Sequence, residues 1–248
     1  MSNTDNFFIY GRNPVEETLK NRPHEVDKIF VKNNIKASTY QDIKELAFQN
    51  EVPLVKVPGA KIYGLVGKVN DQGFVAQISA AKYTKFYDWA ETLILSQNPA
   101  VLLLHGIEDP HNFGAILRSA AAAGIEAVII PMQNQAPVNA TVFKTSAGTA
   151  GRIPIIRVHN LNQGIKDLKA TGFDIVGLDG SANNEIWEID LDRPIAFMIG
   201  NEGEGILPAN LKRCDTLVKI PMENDVESLN ASVSAALVSY EWKRRKTT

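Results

Sequence analysis

Six short, mainly apolar runs set the character of the second half of the chain: Val101–Leu104, Ala127–Ile130, Pro154–Val158, Asp174–Leu178, Ile195–Ile199 and Leu217–Ile220. They are continuous rather than alternating, and helical or turn-rich segments separate them. A strand with one face in water alternates apolar and polar residues, whereas a continuous run is buried on both faces. Continuous runs alternating with helices therefore predict an α/β unit whose parallel sheet is covered on both sides. In such a sheet ligands bind outside the carboxyl ends of the strands. The loops after these runs are the places to look for function.

The first eighty residues read differently, as short strands and amphipathic helices in a small α/β unit. Phe7–Tyr10, Val26–Val31, Leu54–Val57 and Phe74–Ile78 have strand character. Pro14–Lys20 reads as a helix capped by Asn13, Ser38–Gln49 as a helix behind a serine cap, and Gly59–Val66 as a third. Residues 81–98 mix Lys, Tyr, Asp and Trp and read as a linker. The expected organisation is thus 1–80, a linker over 81–98, and a larger unit over 99–248.

Composition excludes several classes. Of the 248 residues 44% are hydrophobic and 22% charged, which is ordinary for a globular chain. Cys214 is the only cysteine and the four histidines lack ligand spacing, so neither a disulfide framework nor a structural metal is expected. No signal-peptide pattern opens the chain and no run of about 18 apolar residues occurs, so a cytosolic location is expected. The net charge of -2 divides unevenly. Residues 1–90 carry 12 Lys/Arg against 10 Asp/Glu, or +2, leaving 14 against 18, or -4, for the rest. Lys243-Arg244-Arg245-Lys246 forms a second basic cluster. A solvated surface and a modest polyanion-contacting face both fit this distribution.

Three segments depart from ordinary core. The first, Asp109 to Ala120, follows the run Val101–His105 and places Arg118 among Ile116, Leu117 and four consecutive alanines. An arginine there must find an anion or reach a cleft, and a structural salt bridge beside a helix cap would do as well. The second is Gly200-Asn201-Glu202-Gly203-Glu204-Gly205. Its glycine spacing fits neither a dinucleotide fold nor a phosphate loop, and its glutamates would repel phosphate. A tight turn and a pocket for a ligand other than a bare polyphosphate are the two readings. The third runs from Ile220-Pro221-Met222 to Ser228-Leu229-Asn230, with Ser228 as the expected cap of the next helix and Asn230 in its first turn. All three lie at strand ends and would face one crevice.

In these three segments, in their order and spacing, the chain resembles the SpoU-type RNA ribose 2'-O-methyltransferases. Phe8-Ile9-Tyr10-Gly11-Arg12-Asn13-Pro14-Val15 also resembles the opening of the small RNA-binding domain that precedes the catalytic domain in the branch that methylates a guanosine of 23S rRNA near the peptidyl-transferase centre. Asp71-Gln72-Gly73 departs from that branch, which often has His-Gln-Gly.

The resemblance implies a trefoil-knotted parallel-sheet methyltransferase domain, a first domain like that of a ribosomal protein, and a homodimer. It implies S-adenosylmethionine as cofactor, with Leu178, Gly180, Gly200, Ile220, Met222 and Leu229 lining its pocket. Arg118 is then the residue that activates or stabilises the attacking oxygen, with Asn112, Glu202, Ser228 and Asn230 around it. Arg12, Lys28, Lys32 and Lys36 are the candidates for RNA contact. A tRNA or another rRNA site is the alternative substrate. A non-catalytic RNA-binding or ribosome-assembly factor is the alternative class.

Overall fold

The computed structural model describes residues 7–79, 81–201, 203–224 and 226–246. The chain divides into two compact units, one holding residues 1–83 with 137–140 and the other residues 84–136 with 141–248.

In the first unit β1 (Phe7–Tyr10), α1 (Arg12–Asn21), β2 (Val26–Lys32), α2 (Ala37–Gln49), β3 (Leu54–Val57), α3 (Gly59–Val66) and β4 (Phe74–Ile78) follow one another. The sheet order is β1-β4-β2-β3. β4 runs antiparallel to both neighbours, and β2 and β3 are parallel. Val15, Leu19, Ile29, Val31, Ile43, Ala47 and Phe74 form one core. Two helix starts differ from expectation. Gly11 at φ 96° opens α1, which puts Asn13 inside the helix. Lys36 precedes α2, which puts Ser38 inside it, with no side-chain cap at either helix start. Val138, far along the chain, joins this unit by accepting from Ser79 Oγ at 3.2 Å and donating its N–H to Tyr83 Oη at 3.3 Å.

The second unit contains α4 (Phe86–Ala90), β5 (Ala100–His105), α5 (Pro110–Ala123), β6 (Ala127–Pro131), α6 (Ala140–Thr145), β7 (Ile155–Val158) and α7 (Leu161–Thr171). After these come β8 (Asp174–Leu178), β9 (Asn184–Glu185), β10 (Ile195–Gly200), α8 (Pro208–Leu211), β11 (Thr216–Lys219) and α9 (Ala231–Lys246). Its sheet, ordered β7-β6-β5-β10-β8-β11-β9, is parallel throughout. Each apolar run is a strand, and β9 is a two-residue addition at the edge.

The two faces of this sheet are covered by different helices, which is why the runs are continuous. Val101, Leu103, Ile129 and Met198 pack with α7 residues Leu161, Ile165 and Leu168. Phe86 and Trp89 join the same cluster, so the segment read as a linker is anchored in this core. Because side chains alternate across a strand, Leu102, Leu104 and Phe197 face the other way, and α9 lies against β5 and β10 while α5 lies against β6. α5 and α9 also pack against each other, so the small-residue stretches Ser119–Ala123 and Ser232–Ala236 belong to helices in mutual contact. Among the described residues no helix is long and apolar enough to cross a membrane.

Candidate active site

Since β5, β8, β10 and β11 are parallel, their carboxyl ends open on one edge of the sheet. A cavity of about 200 Å³ lies there, between the ends of β8, β10 and β11 and the start of α9. All six residues expected to hold a cofactor, Leu178, Gly180, Gly200, Ile220, Met222 and Leu229, line it. This volume is below that of a site enclosing a whole drug-sized ligand and suits one ring system.

The glycine-rich loop forms one wall of the cavity. Asn201 Oδ1 accepts from the N–H groups of Gly203 at 3.0 Å and Glu204 at 2.7 Å, and Asn201 bridges to Gly205, which has φ 64°. The loop thus folds back on the end of β10. A Cβ at Gly200 would run into the backbone of Gly205 and sit 2.5 Å from Ile206 N. Only glycine permits this approach, so backbone rather than side chain faces the cavity. The tight turn and the pocket, alternatives from sequence, are one structure. Leu178, Ile220, Met222 and Leu229 supply apolar faces beside peptide edges. That combination fits the adenosine portion of S-adenosylmethionine, a neutral heteroaromatic ring with hydrogen-bonding edges, and does not fit a bare phosphate.

The two helix starts beside the cavity are joined by their side chains. Asp109 Oδ1 accepts from His111 N at 3.0 Å and caps α5. At α9 the cap is Asn230 rather than Ser228: its Oδ1 takes Ser232 N at 2.8 Å, and its backbone oxygen accepts from Ser234 N. Asn230 Nδ2 then donates to Asn112 Oδ1 at 3.0 Å, tying α9 to α5. Ser228 is left to line the cavity. Gly114 fits the same design, because a Cβ there would meet Thr145 Cβ at 2.7 Å, so α5 and α6 can approach this closely only over a glycine.

Arg118 stands on the exposed face of α5, has no hydrogen-bond or ion-pair partner among the described residues and does not line the cavity. Ser228 thus lines the cavity, Asn230 stands in the chain between its lining residues Leu229 and Ala231 with Asn112 bonded to it, and neither asparagine nor Arg118 is itself part of the lining. Glu202 lies outside the described residues. Asn201 and Glu204 also line the cavity and were not singled out as site residues. An asparagine within a glycine-rich turn is the signal that could have drawn attention to Asn201, because its side chain readily bonds the backbone two residues on.

Two of the four candidate RNA contacts in the first unit are already engaged. Arg12 Nη2 lies 2.9 Å from Asp42 Oδ2, and Lys32 Nζ lies 2.8 Å from Asp71 Oδ1. Burial pushes the Asp71 carboxyl up, but the Lys32 ammonium and the Gly73 N–H outweigh it and hold the group below its ordinary value. The departure at Asp71 is thus answered by Lys32. Lys36 is exposed and Lys28 half-buried, and neither has an ion pair among the described residues. The basic cluster at the end of α9 is also partly committed. Arg244 and Arg245 both bind the buried Glu241, holding its carboxyl low, and Arg245 donates to the carbonyl oxygens of Ile189 and Trp187.

Comparison with known proteins relates these features to a family. Residues 99–240 match the model of the SpoU rRNA methylase family, and residues 8–84 match an RNA 2'-O ribose methyltransferase substrate-binding model. The 23S rRNA (guanosine-2'-O-)-methyltransferase RlmB of Xanthomonas campestris pv. campestris is 38% identical over 247 residues, covering 97% of each chain. A crystal structure of an RNA 2'-O ribose methyltransferase is 28% identical, with a TM-score of 0.57 over 98% of this chain and 90% of that one. The SpoU methyltransferase AviRb of Streptomyces viridochromogenes, solved with the cofactor AdoMet, is 21% identical with a TM-score of 0.61, covering 98% of this chain and 91% of that one.

Proposed function

The chain belongs to the SpoU rRNA methylase family, and on that premise we propose that it methylates the ribose 2'-oxygen of a guanosine in 23S rRNA with S-adenosylmethionine as donor. The observation that carries this reading is the cavity at the ends of β8, β10 and β11, lined by a glycine-floored loop and apolar side chains, with the bonded Asn112–Asn230 pair adjoining its lining residues Leu229 and Ala231 in the chain.

S-adenosylmethionine, when bound, supplies a sulfonium-activated methyl group, so the protein's task is alignment and charge handling. Leu178, Gly180, Gly200, Ile220, Met222 and Leu229 hold the adenosine by peptide edges and apolar contact. The bonded Asn112 and Asn230 orient the ribose, with Ser228 completing the polar wall. Arg118 stabilises the negative charge that develops on the 2'-oxygen. A guanidinium with a pKa above about 12 is a poor base, so the proton passes to another acceptor, an RNA phosphate being the group at hand. The family resemblance gives Glu202 the role of anchoring Arg118 or another donor. The exposure of Arg118 and its separation from the cavity favour delivery of this cation when RNA or a second copy of the chain is bound. A homodimer through the methyltransferase units fits the exposed Val233 and Tyr240 on α9.

The first unit serves as the RNA-binding domain, with a fold like that of a ribosomal protein, and the second as the trefoil-knotted catalytic domain. The substrate-binding match over residues 8–84 and the ammonium groups of Lys28 and Lys36, which have no ion pair among the described residues, support the first assignment. Family membership supports the second. With Arg12 and Lys32 engaged, the reading favours recognition of RNA shape over brute electrostatics.

Labelled methyl incorporation from S-adenosylmethionine, offered unmodified 23S rRNA and unmodified tRNA in parallel and mapped by resistance to alkaline cleavage, tests the proposal. One protected ribose in 23S rRNA is expected. Protection in tRNA alone would keep the chemistry and overturn the substrate. No incorporation and no cofactor binding would favour the non-catalytic RNA-binding reading.

A further inference from the structure

A second and larger cavity, of about 610 Å³, opens at the carboxyl ends of β5, β6, β7 and β10. It shares Asn201 and Glu204 with the cavity assigned to the cofactor, so the two are neighbours across one loop. Most of its lining residues are polar, yet none among the described residues is lysine or arginine. Amides, two histidines and the carboxylates of Glu108 and Glu204 make up most of it. A phosphate would be repelled here, and an apolar ligand would strand polar groups. The chemistry suits a neutral ligand rich in hydrogen-bond donors and acceptors, small enough to leave an RNA strand and enter.

The lining also has polarity. Glu108 lies in the loop between β5 and α5 and borders only this cavity. Its carboxylate has no hydrogen bond or ion pair among the described residues, and an ionised carboxylate only accepts. His105, at the end of β5, accepts the Leu207 N–H on Nδ1 at 3.3 Å. That bond places the ring proton on Nε2, which therefore donates. Burial favours the neutral ring over the opposing influence of Glu204. The site thus offers an acceptor from Glu108, a donor from His105, and adaptable amides from Gln133 and Asn134.

We infer that this cavity takes the base of the target guanosine, with the Glu108 carboxylate reading the guanine Watson–Crick edge and the shared residues Asn201 and Glu204 guiding the ribose toward the methyl donor. Guanine presents two adjacent donors, N1–H and N2–H, to one carboxylate, and its O6 accepts from His105 Nε2. Adenine and cytosine each place a ring-nitrogen acceptor where guanine has N1–H, and a carboxylate opposes it. Enzymes acting on a nucleotide commonly draw its base out of the stack into such a pocket and read that edge. This inference rests on the proposed RNA methyl transfer, because it names how that substrate is selected.

The test uses the RNA fragment carrying the ribose mapped above, synthesised with guanosine or with inosine, which lacks only the 2-amino group, at that position. The wild-type protein is expected to methylate the guanosine RNA about 10- to 100-fold more efficiently, judged by kcat/KM. Glu108→Gln is expected to lower the guanosine rate by a similar factor, leave the inosine rate within about threefold and so erase the preference. Its S-adenosylmethionine Kd is expected to stay within about twofold of wild type, since Glu108 does not line the cofactor cavity. A Glu108→Gln protein that keeps the wild-type preference for guanosine would overturn the inference. So would a large rise in the cofactor Kd, which would give this cavity to the donor instead. A wild-type protein that transfers no methyl group to the guanosine RNA would overturn the underlying activity itself, a result separable from either.

Discussion

Replacing Arg118 with alanine is expected to lower methyl transfer by at least about 10²- to 10³-fold, the loss typical when a preorganised donor to a developing oxyanion is removed. The S-adenosylmethionine Kd is expected to change by less than about twofold, because Arg118 does not line the cofactor cavity. Stability is expected to hold as well, since the side chain is exposed and has no partner among the described residues. Activity, cofactor titration and thermal melting on one protein preparation separate these effects. Arg118→Lys keeps the charge but not the planar fork of donors, and is expected to recover only part of the rate. Retained turnover in Arg118→Ala would remove Arg118 from the mechanism.

Gly200→Ala is expected to act on the opposite half of the machinery. Its Cβ would collide with the Gly205 backbone and approach Ile206 N to 2.5 Å, and neither contact is the yielding tip of a flexible side chain. The loop must move, and with it the backbone that faces the cofactor cavity. A strain of about 1–3 kcal/mol corresponds to a roughly 10- to 100-fold loss of S-adenosylmethionine affinity, measured by calorimetry. Gly203→Ala is the control. Its Cβ would meet only Asn201 Oδ1, at 3.7 Å, and Gly203 does not line the cofactor cavity. Little change is expected there. Equal losses in both variants would show that the loop tolerates no side chain anywhere and would undo the argument from the Gly200 contact.

The second unit's architecture was legible because its signal is local and redundant. Ala100–Leu104 and Ile195–Phe197 are fully buried, and their runs register that burial directly. Parallel strands then bring their ends together, so the six cofactor candidates, drawn from three loops up to 51 positions apart in the chain, meet in one cavity. Helix starts were less legible. Asn13, Ser38 and Ser228 are all good capping residues, but a cap is decided by where the chain turns. Gly11 makes that turn before α1, and Asn230 takes the cap of α9 while also bonding Asn112. Charge was the least legible. Arg12 and Lys32 are counted as free cations in any sequence sum, yet they meet Asp42 and Asp71, 30 and 39 residues away. Glu241 similarly draws Arg244 and Arg245 out of the terminal basic cluster. The polar cavity at the ends of β5, β6, β7 and β10 left no motif at all, since its six amides come one or two at a time from four separate stretches of the chain.

Nucleoside analysis of the methylated RNA tests the central claim most directly. Ribosomal RNA treated with the protein and S-adenosylmethionine is digested to nucleosides, and mass spectrometry assigns the new methyl group to sugar or base. The account predicts 2'-O-methylguanosine, with the methyl group on the ribose fragment, and its absence after treatment with Arg118→Ala. A methyl group on the base, or on no nucleoside while S-adenosylmethionine is still bound, would contradict it.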